Sequence, residues 1–286
     1  MRAGQQWRSF SPSVQLDARV LAELLDGGQS FRWDLQADGV WEGVFGRNRV
    51  QVRLCDSGEL EYRVLTGDAA GVEAYFGHSV DWCALRDALP WRSDPQLKAC
   101  MDAFPGLRIL RQPFGETLFS FLCSTAKQIV QIKQCCREVA RRLGEDLGDG
   151  SHAWPGWEVL GEAGEDVLRE CRLGYRARYV WEVARILGED AQFEARLAEA
   201  EYPQAKAMLM ELPGVGAKVA DCVLLFGAGR LEAFPVDTWV AKVMARRYGL
   251  EGWDAAKVGR FGQAHFGAAA GLAQQFLFAS ERALLK

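Results

Sequence analysis

The stretch ELPGVGAKVADC, residues 211–222, is the turn on which the reading of this chain depends. Apolar residues three and four apart lead into it through PQAKAMLMEL and out of it through KVADCVLLFG. Pro213 fixes φ, while Gly214 and Gly216 are free to take backbone conformations closed to other residues. The spacing predicts two helices joined by a tight turn over about 203–226. The glycines leave consecutive N–H groups uncovered at the start of the second helix, an arrangement that suits an anion such as a phosphate. An ordinary αα-hairpin with a glycine-rich turn fits the same residues.

Lys218 breaks a local rule, because a cation in the first helical turn faces the positive end of the helix dipole. Such violations mark candidate functional sites, against the plainer alternative of a solvated surface lysine. The dipole disfavours the ammonium and favours a free amine, which is a nucleophile. Cys222 follows one turn later on the same face. A further helix opens at AFPVDTWV, where Asp237 is well placed to cap it. Capping alone accounts for an isolated aspartate. Paired with Lys218 across two consecutive helices, the carboxylate becomes a candidate to hold the amine and shuttle its proton.

Outward from this centre, the first third reads as β. In RVQVRLCDSGELEYRVL (49–65), Val50, Val52 and Leu54, then Leu60, Tyr62 and Val64, alternate on either side of an Asp56-Ser57-Gly58 turn. VWEGVFG (40–46) and FRWDL (31–35) supply two more strands, giving an antiparallel sheet of four or more. After about residue 68 the pattern is helical to the end, closing with the amphipathic GLAQQFLFASERALL (271–285). The fold class expected is α+β: a small N-terminal antiparallel β domain over 1–100 and an all-helical region over 101–286.

The 286 residues are 49% apolar, with 34 Lys and Arg against 38 Asp and Glu, a formal net charge of −4. That balance argues against a protein that coats nucleic acid through bulk charge, but not against one that grips a few phosphates locally. Three dispersed histidines and eight scattered cysteines without a CxxC pair give no metal or iron–sulfur pattern. Neither a signal core nor a membrane-length apolar run is visible, so a soluble intracellular protein in a reducing compartment is expected.

The run LPGVGAKVADCVLLFGAGRLEAFPVDTWV (212–240) resembles the helix–hairpin–helix, Gly/Pro-Asp signature of DNA glycosylases, and more narrowly the 8-oxoguanine DNA glycosylase/AP lyase branch. GQSFRW (28–33), LRQPFGETLFSFLCS (110–124), LGYRARYV (173–180) and GLAQQFLF (271–278) match that branch in the same order. The resemblance implies that Lys218 attacks C1′ of the damaged nucleotide and forms a Schiff base, with Asp237 stabilising the sugar cation. It implies that Gly28 offers its carbonyl to the N7–H of 8-oxoguanine, that Phe278 stacks on the flipped base, that Gln274 reads its Watson–Crick edge, and that Cys222 lines the pocket. The amides at Gly214 and Gly216 would hold a phosphate, Tyr175 would wedge into the stack, and Arg176 would contact the orphaned cytosine.

Three positions depart from the family pattern. The asparagine-rich turn is replaced by Ser124-Thr125-Ala126-Lys127-Gln128, the arginine that reads the opposite cytosine by Gln131, and the histidine after PVD by Trp239. Losing a bidentate contact removes about 1–3 kcal/mol of discrimination, so weaker cytosine preference, or contacts through Lys127 and Gln131, are expected. The resemblance implies a monomeric, bifunctional glycosylase and β-elimination lyase with no cofactor and no membrane, acting on duplex DNA that contains an oxidised purine, in the cytoplasm, nucleoid or nucleus. The alternatives are a glycosylase of the same fold for another lesion, such as an alkylated purine, and a non-catalytic binder of damaged DNA.

Overall fold

The computed structural model describes residues 6–11, 13–125 and 127–284. Its main sheet has five antiparallel strands: β1 (Arg8–Ser9), β2 (Trp33–Leu35), β3 (Trp41–Phe45), β4 (Asn48–Leu54) and β5 (Leu60–Thr66), in the spatial order β1-β5-β4-β3-β2. The hairpin register pairs Val52 with Tyr62 and Leu54 with Leu60, and the alternation buries Val50, Val52, Leu60 and Tyr62 on one face. Gly43 pairs with Trp33 across β2 and β3; a Cβ at Gly43 would fall 2.2 Å from the indole, so glycine makes room for that ring.

The first third is not all β, as the sequence reading had it. A helix, α1 (Ala18–Asp26), precedes β2. Asp17 caps it by accepting from Val20 N at 2.7 Å, and Val20, Leu21, Leu24 and Leu25 form its buried stripe. The nine-residue pattern ARVLAELLD has both a cap and a helical period. The strand alternation that follows it dominated the reading of that region.

Helices α2 (Ala69–Tyr75), α3 (Trp82–Ala88) and α4 (Pro95–Ala103) lead from the sheet into the helical region. There follow α5 (Phe114–Ser124), α6 (Ile129–Leu143), α7 (Trp157–Leu168), α8 (Arg176–Glu189), α9 (Phe193–Glu199), α10 (Tyr202–Met210), α11 (Ala217–Phe226), α12 (Thr238–Tyr248), α13 (Ala255–Phe266) and α14 (Ala270–Ala283). A two-stranded ribbon, β6 (Asp146–Gly148) with β7 (Ser151–His152), interrupts what the sequence suggested was helix only. Three helices, α5, α11 and α14, are buried almost all round, as central elements must be. The apolar core is continuous, running from Phe10 in the N-terminal segment to Ala279 in α14. Among the described residues no helix is long and apolar enough to cross a membrane.

Candidate active site

The hairpin takes the predicted form, α10–turn–α11. Gly214 has φ +78°, a left-handed conformation that explains glycine there. Gly216 does not: its φ of −96° and ψ of 176° are open to any residue, which corrects the expectation that both glycines answer a backbone need. Gly216 is exposed, and among the described residues no atom lies within 4 Å of a Cβ built on it and no side chain caps α11. The uncapped first-turn amides of α11 therefore meet open space, where an anion can approach the backbone.

Lys218 is the second residue of α11 and is half-buried. Its Nζ donates to Ser124 Oγ at 2.9 Å and sits 5.1 Å from the centre of the Phe121 ring. Both partners belong to the last turn of α5, and Ser124 in turn donates to Phe121 O at 2.7 Å. The sequence placed Ser124 only within a departing turn. Nothing in its spacing from Lys218, 94 residues away, pointed to this contact.

Asp237 is the N-cap of α12, its Oδ1 accepting from Trp239 N at 2.9 Å and Val240 N at 2.8 Å. Among the described residues it forms no ion pair with Lys218, so the carboxylate does not hold the amine as expected; Ser124 does. The Cys222 thiol lies under the influence of both charges. Burial pushes it up to about 12, Lys218 opposing that rise and Asp221 and Asp237 adding to it. Cys222 is buried one turn along α11 from Lys218, and Asp237 caps the next helix through Oδ1, with Oδ2 free of capping bonds among the described residues.

Beneath Lys218, Phe121 stacks on Phe226 of α11, with centroids 5.4 Å apart and planes at 13°, and meets Phe31 edge-on at 5.6 Å. Phe31 belongs to the loop that carries Gly28 (φ +106°), whose missing Cβ would lie 3.3 Å from Ile129 at the start of α6. Gln29 pins this loop. Its Nε2 donates to Arg108 O at 3.0 Å, its Oε1 accepts from Leu110 N at 3.1 Å, and its own carbonyl accepts from Gln112 Nε2 at 2.6 Å. On α14, Gly271 permits a tight crossing, since a Cβ there would fall 2.4 Å from Leu225 Cδ1. This brings the start of α14 against the last turn of α11, while α14 packs chiefly on α4 and α12, with Gln274 buried and Phe278 half-buried one turn apart. Gln274 Oε1 accepts from Gln275 Nε2 at 2.8 Å.

The remaining candidates lie at the starts of α8, α6 and α12. Tyr175 is 59% exposed at the N-cap of α8, and the Arg176 guanidinium lies 5.0 Å from its ring centre and 5.5 Å from that of Tyr179. Arg176 Nε is buried without a hydrogen-bond partner among the described residues. Lys127 is half-buried just before α6. Gln131 is exposed, but its Oε1 accepts from Gln128 N at 3.0 Å and caps α6, so it serves the helix rather than reaching outward. Ala126 lies outside the described residues. Trp239 is 40% exposed, with Lys242 Nζ 5.3 Å from its ring centre. No group of three or more His, Cys, Asp or Glu side chains among the described residues is arranged to hold a metal ion.

Residues 13–118 match the family described as 8-oxoguanine DNA glycosylase, N-terminal domain. The chain is 32% identical over 262 residues to the N-glycosylase/DNA lyase of Saccharomyces cerevisiae, covering 80% of this chain and 68% of that protein. Its structure superposes on the Clostridium acetobutylicum 8-oxoguanine glycosylase/lyase, solved with double-stranded DNA containing cytosine opposite 8-oxoG, with a TM-score of 0.86 and 30% identity over 93% of this chain and 92% of that one. The apo form of the same clostridial protein gives a TM-score of 0.84.

Proposed function

The chain belongs to the 8-oxoguanine N-glycosylase/DNA lyase family, and we propose that it excises 8-oxoguanine from duplex DNA and nicks the resulting abasic strand by β-elimination. The observation that carries this reading is the placement of Lys218 in the first turn of α11, its amine held by Ser124, with Asp237 at the cap of the next helix. Lys218 Nζ attacks C1′, the C1′–N9 bond breaks, and the base leaves with its electron pair. Loss of an amine proton and opening of the sugar give the iminium, which acidifies C2′ so that the 3′ phosphate departs. Asp237 balances the cationic sugar and offers the uncapped Oδ2 to a moving proton.

The target base must leave the stack to reach these groups. The Gly28 carbonyl meets the N7–H that 8-oxoguanine has and guanine lacks; with guanine, that carbonyl is left buried and unpaired. Phe278 stacks on the extruded base, Cys222 lines the opposite wall, and Gln274, its Oε1 engaged by Gln275, presents Nε2 to the Watson–Crick edge. Amides at Gly214 and Gly216 hold a damaged-strand phosphate. Tyr175 fills the gap left in the stack, and Arg176 contacts the orphaned base. Lys127 borders the same strand, while Gln131 remains a helix cap. This reading places a β domain through residue 100 and the helical region from 101 to 286, acting as a monomer in the nucleoid or nucleus.

Borohydride trapping on a duplex carrying 8-oxoguanine opposite cytosine tests the reading. A covalent adduct with wild type and none with Lys218→Gln supports it. No adduct from wild type on that duplex sinks it, and other opposite bases and alkylated purines follow.

A further inference from the structure

We propose that Ser124 is a positioning residue for the Lys218 nucleophile, an inference that rests on the role given to Lys218 above. The single hydroxyl hydrogen of Ser124 is donated to Phe121 O at 2.7 Å. With that hydrogen committed, Oγ meets Lys218 Nζ at 2.9 Å only as an acceptor. A serine free to rotate donates to a neutral amine and occupies the lone pair that has to reach C1′. In this arrangement the amine donates an N–H, and its lone pair is turned away from the serine. Phe121 therefore acts twice: its carbonyl orients the hydroxyl, and its ring, 5.1 Å from Nζ, lies beneath the lysine head.

Asp237 does not perform this task, because its Oδ1 is occupied by the α12 amides and no ion pair joins it to Lys218 among the described residues. The lysine's long, flexible stem has many rotamers, and a fixed acceptor at the end of the buried helix α5 selects among them. Ser124 does not itself touch the reacting atoms; it acts through Nζ.

Three variants, Ser124→Ala, Ser124→Thr and Ser124→Cys, are compared with wild type in borohydride trapping and single-turnover rates. Two duplexes are used, one with 8-oxoguanine and one with a preformed abasic aldehyde. Affinity for a duplex with an unreactive tetrahydrofuran abasic analogue and thermal unfolding are measured alongside. Ser124→Ala is expected to slow adduct formation on the abasic duplex by about tenfold while changing affinity by less than about twofold. Ser124→Cys, of similar volume but a weak acceptor, is slowed as well, and Ser124→Thr restores the rate to within about threefold. A wild-type rate in Ser124→Ala or Ser124→Cys overturns the proposal, as does affinity falling in step with rate, or no recovery in Ser124→Thr. If Ser124→Ala fails to fold, Ser124→Cys and Ser124→Thr decide alone. Wild type failing only on the 8-oxoguanine duplex sinks the lesion assignment and leaves the Ser124 comparison standing; failing on both duplexes, it sinks both.

Discussion

The ring of Tyr179 rests against Gly214, so closely that a Cβ on that glycine would fall 2.8 Å from Tyr179 Cγ. The hairpin turn is thereby braced on α8, the helix whose first turn presents Tyr175 and Arg176. Groups proposed for the damaged strand and for its complement are held at a fixed separation by this one contact.

Gly214→Ala should therefore cost stability. An L-residue in the left-handed region costs about 1–2 kcal/mol, and displacement of Tyr179 adds to it. Gly216→Ala meets neither obstacle and should stay within about 0.5 kcal/mol of wild type. It should nonetheless weaken binding to an abasic duplex, because the new methyl intrudes where a phosphate would approach the amides. Denaturant unfolding and fluorescence anisotropy separate the two effects.

Asp237 has an observed job as the α12 cap and a proposed chemical one, and the two are separable. Asparagine caps as well as aspartate, so Asp237→Asn should keep stability within about 0.5 kcal/mol while excision falls by about 10²-fold or more. Asp237→Ala should lose the cap as well, about 1 kcal/mol. Thermal unfolding with single-turnover excision checks both; an Asn variant with full activity would refute a chemical role for the carboxylate.

Gln131→Arg exchanges a helix cap for a reaching cation. Losing the bond from Gln128 N should lower stability by about 1 kcal/mol. The guanidinium should raise discrimination for cytosine over adenine opposite the lesion by about 1–3 kcal/mol. Excision rates on the two duplexes measure the gain, and equal ratios in variant and wild type would exclude it.

Acid should loosen the joint between α4 and α12–α13. Asp94 Oδ2 accepts from Tyr248 Oη at 2.8 Å and pairs with His265 Nε2 at 2.9 Å, while Oδ1 caps α4 at Leu97 N. Burial alone would raise this carboxyl; the Leu97 amide, His265 and Tyr248 outweigh it and hold it below its ordinary value of 3.8. A depressed folded value means the stabilisation is complete above the unfolded value and is lost as pH falls through the folded one. Asp94→Asn should thus be less stable than wild type by about 2–3 kcal/mol at neutral pH, with the gap narrowing below about pH 4. Unfolding measured from pH 7 to pH 3 tests this.

What could be read from the sequence was what depends on neighbours. Strand alternation from Val50 to Val64, the Pro213–Gly216 turn and the Asp237 cap are local patterns, and each reappears in the structure. Helix α1 was legible from Asp17 and its apolar stripe but was absorbed into the surrounding β pattern. Long-range partners were not legible. Ser124 and Lys218 are 94 residues apart, and the buried Arg32–Glu116 pair, 3.3 Å apart, joins two of the motif stretches across 84. Those stretches stood out as family signatures, and packing shows two of them joined by an ion pair.

Under the role proposed for the Gly28 carbonyl, the three hydrogen bonds of the neighbouring Gln29 give it the character of a fixed gauge rather than a yielding grip. A support that does not relax cannot swing away to spare itself the penalty of facing guanine. On that proposal, undamaged bases are turned away by how briefly they stay.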